Sequence, residues 1–208
     1  MNHPRRTQAD RSAATRTALI DAARLLFAEH GFAGVGTEAI VHGAAVSRGA
    51  LYHHFADKTE LFAAVLDDVE GEVSGQLAAG VRADASGGFV EVMLRSVEAW
   101  LDACGRPEVQ RIVLVDGPSV LGWARWREIC QPHILGLVSA VLAQGMMDGS
   151  VDPQPVTPLA HVLLAIADEA AMYVVTNADP VGARREVVAI MRRFLESLTH
   201  SAELPHRT

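Results

Sequence analysis

Length, composition and charge set the first limits on this chain of 208 residues, half of them hydrophobic, with a formal net charge of −7. That much apolar surface can bury a core without help from metals or disulfides, so we expect a folded, soluble protein. The basic first segment has no apolar stretch behind it, and the long apolar region from Leu159 contains Asp168 and Glu169, so we expect no secretory signal, no membrane span and a cytoplasmic location.

The chain begins with a clear helical pattern. From Ser12 to His30, apolar residues recur at three- and four-residue steps, and Gly31 follows as a helix stop. Thr37 is placed to cap the next helix, in which Ile40 points inward. These features predict a solid first helix followed by a short second one.

A second short helix follows a tight turn. Ser47 is placed to cap it, and Leu51 and Phe55 lie four residues apart on its core-facing side. Asp57, followed three residues later by Glu60, resembles a capping box and starts a longer helix. Two short helices braced by longer ones form the arrangement whose second helix enters a DNA major groove.

The other side of that second short helix carries residues suited to DNA. Arg48 is able to pair bidentately with guanine, while Tyr52 and His53 are able to reach phosphates or base edges. Gly49 permits close approach of the backbone. Lys58, the only lysine in the chain, stands at the amino end of the following helix, where a phosphate is favoured.

The distribution of charge along the chain also favours DNA binding by the first segment. Residues 1–58 contain seven Lys or Arg against five Asp or Glu, whereas residues 59–208 contain eleven against twenty, which gives +2 and −9. The asymmetry indicates that only the first segment meets a polyanion.

The segment TEAIVHGAAVSRGALYHHFADKTELFAAVL resembles the DNA-binding domain of the TetR family of bacterial transcriptional repressors. The most specific matches are Ser47, Gly49, Leu51, Tyr52, His54, Phe55, Lys58 and Leu61. The resemblance implies an all-α homodimer, with a helix-turn-helix domain at residues 1–58, ordered from about residue 12, and a helical effector-binding and dimerisation domain at residues 59–208.

The resemblance also implies roles for individual residues. By matched position, four residues would contact the phosphates and backbone of DNA: Thr37, Tyr52, His54 and Lys58. Four others would lie nearest the base edges: Arg48, Gly49, Ala50 and His53. Ser47 completes the predicted DNA-binding set. One residue departs from the family: Ala45 stands where a glycine is usual, and a left-handed alanine costs about 1 kcal/mol. Gly43 weakens the preceding helix further.

Beyond residue 70, periodicity and turn residues predict only helices. Their expected positions are 89–104, 107–116, 119–147, 158–177 and 180–199. Pro132 falls inside the third of these, so that helix is expected to kink or divide.

Two apolar stripes near the carboxyl end are the candidates for a dimer interface. The predicted interface residues are Leu159, Val162, Leu163, Ile166, Ala170, Val187, Met191, Phe194, Leu195 and Leu198. A four-helix contact between two chains would cover this apolar surface, and core packing within one chain is the competing interpretation.

The effector site is predicted from residue type alone. The candidates for lining or orienting a ligand are Met93, Trp100, Cys104, Trp123, Trp126, Met146, His161, Asp168 and Met172. The apolar members could equally fill the core.

Together these features predict a DNA-binding transcriptional regulator, released from a palindromic operator by a small molecule and acting as a repressor. The alternative is a helical ligand-binding or adaptor dimer without DNA binding. The histidines match no zinc-binding spacing, so we expect no metal. We expect no cofactor, no membrane partner and no enzyme activity, since no nucleophile, paired carboxylates or metal set converge.

Overall fold

The computed structural model of the chain describes residues 7–83 and 87–199. Over these residues it contains ten α-helices, one π-helix and no β-strand, which confirms the all-α prediction. The helices are α1 (Gln8–Gly34), α2 (Thr37–Gly43), α3 (Arg48–His54), α4 (Lys58–Ala83), α5 (Phe89–Cys104), α6 (Pro107–Val109), the π-helix π1 (Gln110–Asp116), α7 (Gly117–Leu121), α8 (Trp123–Met147), α9 (Val156–Thr176) and α10 (Pro180–Glu196).

The chain forms two compact units. The first comprises Met1–Glu70 and Pro107–Cys130, and the second comprises Gly71–Arg106 and Gln131–Thr208. Helices α4 and α8 therefore each contribute residues to both units. The predicted boundary after residue 58, between a DNA-binding domain and an effector-binding domain, is a division by function and stays a prediction.

Three phenylalanines form the aromatic centre of the first unit. The Phe27 and Phe62 rings are fully buried and meet edge to face with centroids 5.3 Å apart. Phe32 completes the set, with its ring centroid 5.7 Å from that of Phe27 and 5.3 Å from that of Phe62. Such tilted and edge-to-face pairs add to the stability that burial of the rings provides.

The first helix begins and stops for identifiable reasons. The Thr7 hydroxyl accepts the Asp10 N–H while the Asp10 carboxylate accepts the Thr7 N–H, a reciprocal capping box. Gly31 interrupts the helical conformation with a φ of 70°, as its predicted role as a stop requires. A Cβ atom at this position would lie 2.7 Å from the Arg111 guanidinium, which can move aside, so it is the positive φ that favours glycine here.

Two of the three predicted helix caps are confirmed. The Ser47 side chain accepts the N–H of Ala50 at 3.1 Å, and the Asp57 carboxylate accepts the N–H of Glu60 at 2.9 Å. The cap predicted at Thr37 is wrong, because Gly36 occupies the N-cap position without a side-chain hydrogen bond and Thr37 is the first helical residue.

The later helices lie close to their predicted positions, with two differences. The segment predicted as one helix over 107–116 is a short α-helix followed by π1. The helix predicted over 119–147 is divided at Gly122, where φ is 75°, and it does not divide at Pro132. Pro132 offers no N–H to the carbonyl of Glu128, four residues earlier, and Glu128 is an exposed residue.

In the second unit, helix α10 is joined to α5 by ion pairs. The Arg184 guanidinium lies 2.8 Å from an Asp102 carboxylate oxygen, and Arg192 lies 3.0 Å from Glu91. The indole N–H of Trp100 on α5 donates to the carbonyl of Ala167 on α9 at 3.3 Å. These contacts fix α5, α9 and α10 around a shared apolar core.

Within residues 7–83 and 87–199, two helices, α8 and α9, are long and apolar enough to cross a membrane by length and composition alone. The core helices of soluble proteins pass the same test, so this observation is weak.

Candidate nucleic-acid interface

The turn between α2 and α3 is closed by hydrogen bonds of its own backbone. Ala45 has a φ of 52° and is the only non-glycine residue with a positive φ in the described part of the chain. Its N–H bonds to the His42 carbonyl at 3.1 Å, and the N–H of Val46 bonds to the Val41 carbonyl at 3.0 Å. This pair of bonds is a Schellman motif, in which glycine normally takes the left-handed position. The turn therefore forms with alanine at a local cost in conformational energy.

The inner side of α3 holds it against the core of the first unit. Leu51 is fully buried and Phe55 is 5% exposed, as their four-residue spacing predicts. Because these two residues fix the rotation of the helix about its axis, they also decide which side chains face outward.

The outward side of α3 is exposed as predicted. The Arg48 side chain is 63% exposed, Tyr52 is 46% exposed, and Gly49 and His53 are exposed. A Cβ atom at Gly49 would have only the Ser47 hydroxyl within 4 Å, at 3.8 Å, so packing inside the chain does not require glycine at this position. The flat surface that Gly49 creates is turned to the outside.

Arg48 is held in place by two neighbours. Its guanidinium lies 3.0 Å from a carboxylate oxygen of Glu38 and over the ring of Tyr52, 5.7 Å from the centroid. The interaction with Tyr52, followed by that with Glu38, raises the pKa of Arg48 above its ordinary value, so the guanidinium stays charged. Glu38 was not predicted from the sequence, because no local pattern relates an α2 carboxylate to an arginine ten residues later.

Lys58 is engaged inside the first unit. Its ammonium donates to the carbonyls of Phe32 and Val35, both at 2.9 Å, and lies 4.0 Å from the centroid of the Phe32 ring. Two of its three N–H donors are therefore used to join the end of α1 to the beginning of α4. One donor remains for the predicted phosphate contact.

The remaining predicted DNA-binding residues lie around the same surface. Thr37, Ala50 and His54 are half-buried, and Ser47 is exposed. The His53 and His54 rings meet edge to face with centroids 5.2 Å apart. An ion pair stands close to this surface, where the Arg125 guanidinium donates to both carboxylate oxygens of Glu60 at 2.7 Å and lowers the pKa of Glu60.

The predicted effector residues do not all belong to one unit. Seven lie in the second unit: Met93, Trp100, Cys104, Met146, His161, Asp168 and Met172. Trp123 and Trp126 lie in the first unit, and the buried Trp126 indole donates to the Val113 carbonyl at 2.9 Å. Their placement in the first unit does not test a ligand contact, which stays a prediction for all nine residues.

Four of the ten predicted dimer residues are covered within the chain, and the dimer contact itself stays a prediction. Leu163, Val187, Met191 and Leu195 are buried within the protomer, with exposures between 0% and 9%, which is the core packing given above as the competing interpretation. The large apolar side chains exposed on α9 and α10 are instead Val162, Tyr173, Val181 and Ile190.

Comparison with known proteins identifies the family. A family profile described as "Bacterial regulatory proteins, tetR family" matches residues 19–65, and one described as "Tetracyclin repressor-like, C-terminal domain" matches residues 90–198. The chain belongs to the TetR family. It is a ligand-responsive, DNA-binding transcriptional regulator, and TetR-family regulators bind operators and small effectors as dimers.

Individual relatives cover most of the chain. The crystal structure of a TetR-family transcriptional regulator from Pectobacterium atrosepticum is 30% identical, covers 95% of this chain and 100% of that one, and has a TM-score of 0.82. The TetC protein of transposon Tn10 from Escherichia coli is 25% identical over 88% of this chain and 92% of its own length. The A-factor receptor protein of Streptomyces griseus is 25% identical over 94% of this chain and 68% of its own length.

Proposed function

We propose that this regulator binds a palindromic operator as a homodimer, with the outward side of α3 in the major groove, and represses transcription until a small molecule binds residues 59–208. The observation that carries the proposal is the division of α3 into two sides. Leu51 and Phe55 are buried, while Arg48, Tyr52 and His53 are exposed together.

The roles of these side chains follow from their chemistry. Arg48, with Gly49, Ala50 and His53 beside it, reads base edges, since a guanidinium pairs bidentately with guanine. Tyr52, Thr37, His54 and Lys58 contact phosphates or the backbone. The Ser47 hydroxyl accepts the N–H of Ala50 and keeps its own hydrogen for a phosphate oxygen.

We also infer the kinds of partner for the rest of the chain. The name of the A-factor receptor relative supports a ligand-binding role, and we infer that the ligand is a small molecule bound by the predicted residues of the second unit. For the dimer contact, Val162, Ile166 and Tyr173 share one side of α9 by helical spacing, and Val162 and Tyr173 are about half exposed. The half-buried Phe194 and the exposed Ile190 extend this surface on α10. A DNA-binding regulator of this kind acts in the cytoplasm.

Selection of duplexes from a random pool tests the proposal. The protein should enrich a palindrome whose half-sites lie about 34–36 Å apart, or a multiple of that distance, and its affinity should fall steeply with salt. Failure to enrich any duplex at low ionic strength would contradict it.

A separate variant tests the dimer. Val162→Asp should reduce the mass in solution to that of one 22.3 kDa chain and abolish tight binding to the palindrome. Leu25→Asp, at an exposed apolar residue of α1, is the matched control and should remain dimeric.

A further inference from the structure

The π-helix π1 is an unusual feature of the first unit. In this geometry each N–H bonds to the carbonyl five residues earlier, and the N–H of Gly117 closes the run by bonding to the carbonyl of Ile112. π-Helices are rare and usually no longer than one turn, because their hydrogen-bond register is less favourable than the α register. A seven-residue run therefore requires a cause.

The cause lies at the next carbonyl, that of Val113. The residue five positions later is Pro118, which has no N–H to donate, and the N–H of Gly117 is already bonded to Ile112. The indole N–H of Trp126 donates to this carbonyl instead, with a distance of 2.9 Å between Nε1 and the oxygen. Trp126 is 4% exposed and Val113 is fully buried, so this hydrogen bond is shielded from water.

The packing around the indole supports the same interpretation. A Cβ atom at Gly117 would lie 2.7 Å from Cδ1 of Trp126 and 2.9 Å from its Nε1, so the missing side chain makes room for the ring. Conversion of this segment to the α register would point the Val113 carbonyl along the helix axis at the N–H of Gly117, which weakens its hydrogen bond with the indole even though the oxygen has two lone pairs. Trp126 therefore favours the π register over the α register.

The register of π1 determines where its last residue stands. Asp116 accepts the N–H of Phe32 at 2.7 Å, and the Phe32 carbonyl accepts the ammonium of Lys58 at 2.9 Å. A change from π to α geometry turns the following residue by about 100° and moves it by about 1.5 Å, which is enough to break the contact between Asp116 and Phe32. Lys58 begins α4, three residues after Phe55, which packs α3 onto the core.

We propose that Trp126 is a positioning residue for operator binding: it holds residues 110–116 in the π register, so that Asp116 fixes Phe32 and, through its carbonyl, Lys58. This inference rests on the proposed function, in which α3 binds DNA. Trp126 lies on α8, which continues beyond Cys130 into the second unit.

Trp126→Phe removes the indole N–H and keeps an aromatic ring. With the palindrome selected by the wild-type protein, we expect its affinity to fall about tenfold, the equivalent of one buried hydrogen bond. Trp123→Phe is the matched control, because Trp123 is 61% exposed, and its affinity should stay within about twofold of wild type, a shift typical of surface substitutions.

The decisive variant adds Pro118→Ala to Trp126→Phe. Alanine restores an N–H five residues after Val113, which lets the π register close without the indole; the same N–H lies four residues after Leu114 and would otherwise serve the α register. If the π register closes, most of the lost affinity should return. The Phe32 amide should exchange its hydrogen faster in Trp126→Phe and return toward the wild-type rate in the double variant. A merely structural role of the tryptophan ring predicts no such rescue.

Several results would overturn the inference. Wild-type affinity and wild-type Phe32 exchange in Trp126→Phe would do so, and so would weakened binding that Pro118→Ala does not restore. If Trp126→Phe does not fold, hydrogen exchange of the indole N–H groups in the wild-type protein tests the proposal instead. The indole N–H of Trp126 should then exchange more slowly than that of Trp123, and equal exchange rates would contradict the proposal. If the wild-type protein selects no duplex, the proposed function fails, while the Phe32 exchange measurements still test the register.

Discussion

Two stretches of short helices in the first unit, residues 37–54 and residues 107–121, are held by different kinds of contact. In the first, the hydrogen bonds of the turn and of the Ser47 cap span no more than five residues. In the second, Asp116 bonds to Phe32 across 84 residues, and the Glu108 carboxylate binds Arg24 across the same separation. The first stretch is specified by its own sequence, whereas the second depends on side chains that folding brings to it.

The largest expected effect distinguishes the two sides of α3. Leu51→Ala should lower the free energy of unfolding by about 2–5 kcal/mol, because it opens a cavity at a fully buried position. Tyr52→Ala, at the adjacent exposed position, should change it by about 0.5 kcal/mol or less while weakening operator binding. Urea unfolding and a binding titration on both variants measure the contrast, and equal losses of stability would contradict the assigned sides.

The second prediction concerns the distant contact that the last residue of π1 makes with Phe32. Asp116→Ala should cost about 1–3 kcal/mol, because the N–H of Phe32 loses its acceptor. Asp116→Asn retains a carbonyl oxygen and should cost less. Urea unfolding with amide exchange at Phe32 checks this, and an unchanged exchange rate in Asp116→Ala would show that the carboxylate does not hold the segment.

A smaller effect of opposite sign is expected in the turn. Ala45→Gly should raise the free energy of unfolding by about 0.5–1 kcal/mol, since relief of the left-handed strain exceeds the entropy that glycine adds to the unfolded chain. Ala44→Gly is the matched control, because Ala44 has a helical φ of −80° and the same substitution should destabilise. Thermal unfolding of the two variants should therefore shift in opposite directions.

The smallest effect is a dependence on pH. Arg125 lowers the pKa of Glu60 below its ordinary value of 4.5, so the stabilisation from this pair is present above pH 4.5 and is lost as pH falls through the lowered pKa of the folded state. Arg125→Gln should therefore be less stable than wild type at neutral pH and equal to it in strong acid. The urea-unfolding midpoints of wild type and Arg125→Gln, measured across this pH range, give the difference in stability. A difference that persists in strong acid would show that the substitution acts through packing and not through the ion pair.

The same contrast explains how much could be predicted from the sequence. The caps at Ser47 and Asp57, the stop at Gly31 and the inward side of α3 follow from residue type and local spacing, and the structure confirms them. Thr37 was misplaced by one position, because Gly36 takes the cap without offering a side chain. Caps of this kind depend on a single backbone angle that spacing does not reveal.

The features that the sequence did not reveal depend on tertiary contacts. Glu38 beside Arg48 and the indole of Trp126 on the Val113 carbonyl join residues with no periodic relation. Trp126 suggests a ligand pocket because its ring is large and apolar. In the structure, its indole N–H bonds to the Val113 carbonyl, and this contact fixes the position of the ring. Leu163 and Met191 were assigned to a dimer surface, since an apolar stripe looks the same whether a neighbouring helix or a second chain covers it.

The most direct test of the account is base discrimination by Arg48. Arg185, an exposed arginine of α10, provides the charge-matched control Arg185→Ala. Binding of wild type, Arg48→Ala and Arg185→Ala should be titrated against the selected palindrome and a set of duplexes with single base-pair changes. We expect Arg48→Ala to lose about tenfold to a hundredfold on the palindrome and to become indifferent to one or two base pairs, while Arg185→Ala behaves as wild type. An equal loss on every duplex, with the base preferences unchanged, would contradict the placement of the outward side of α3 in the major groove.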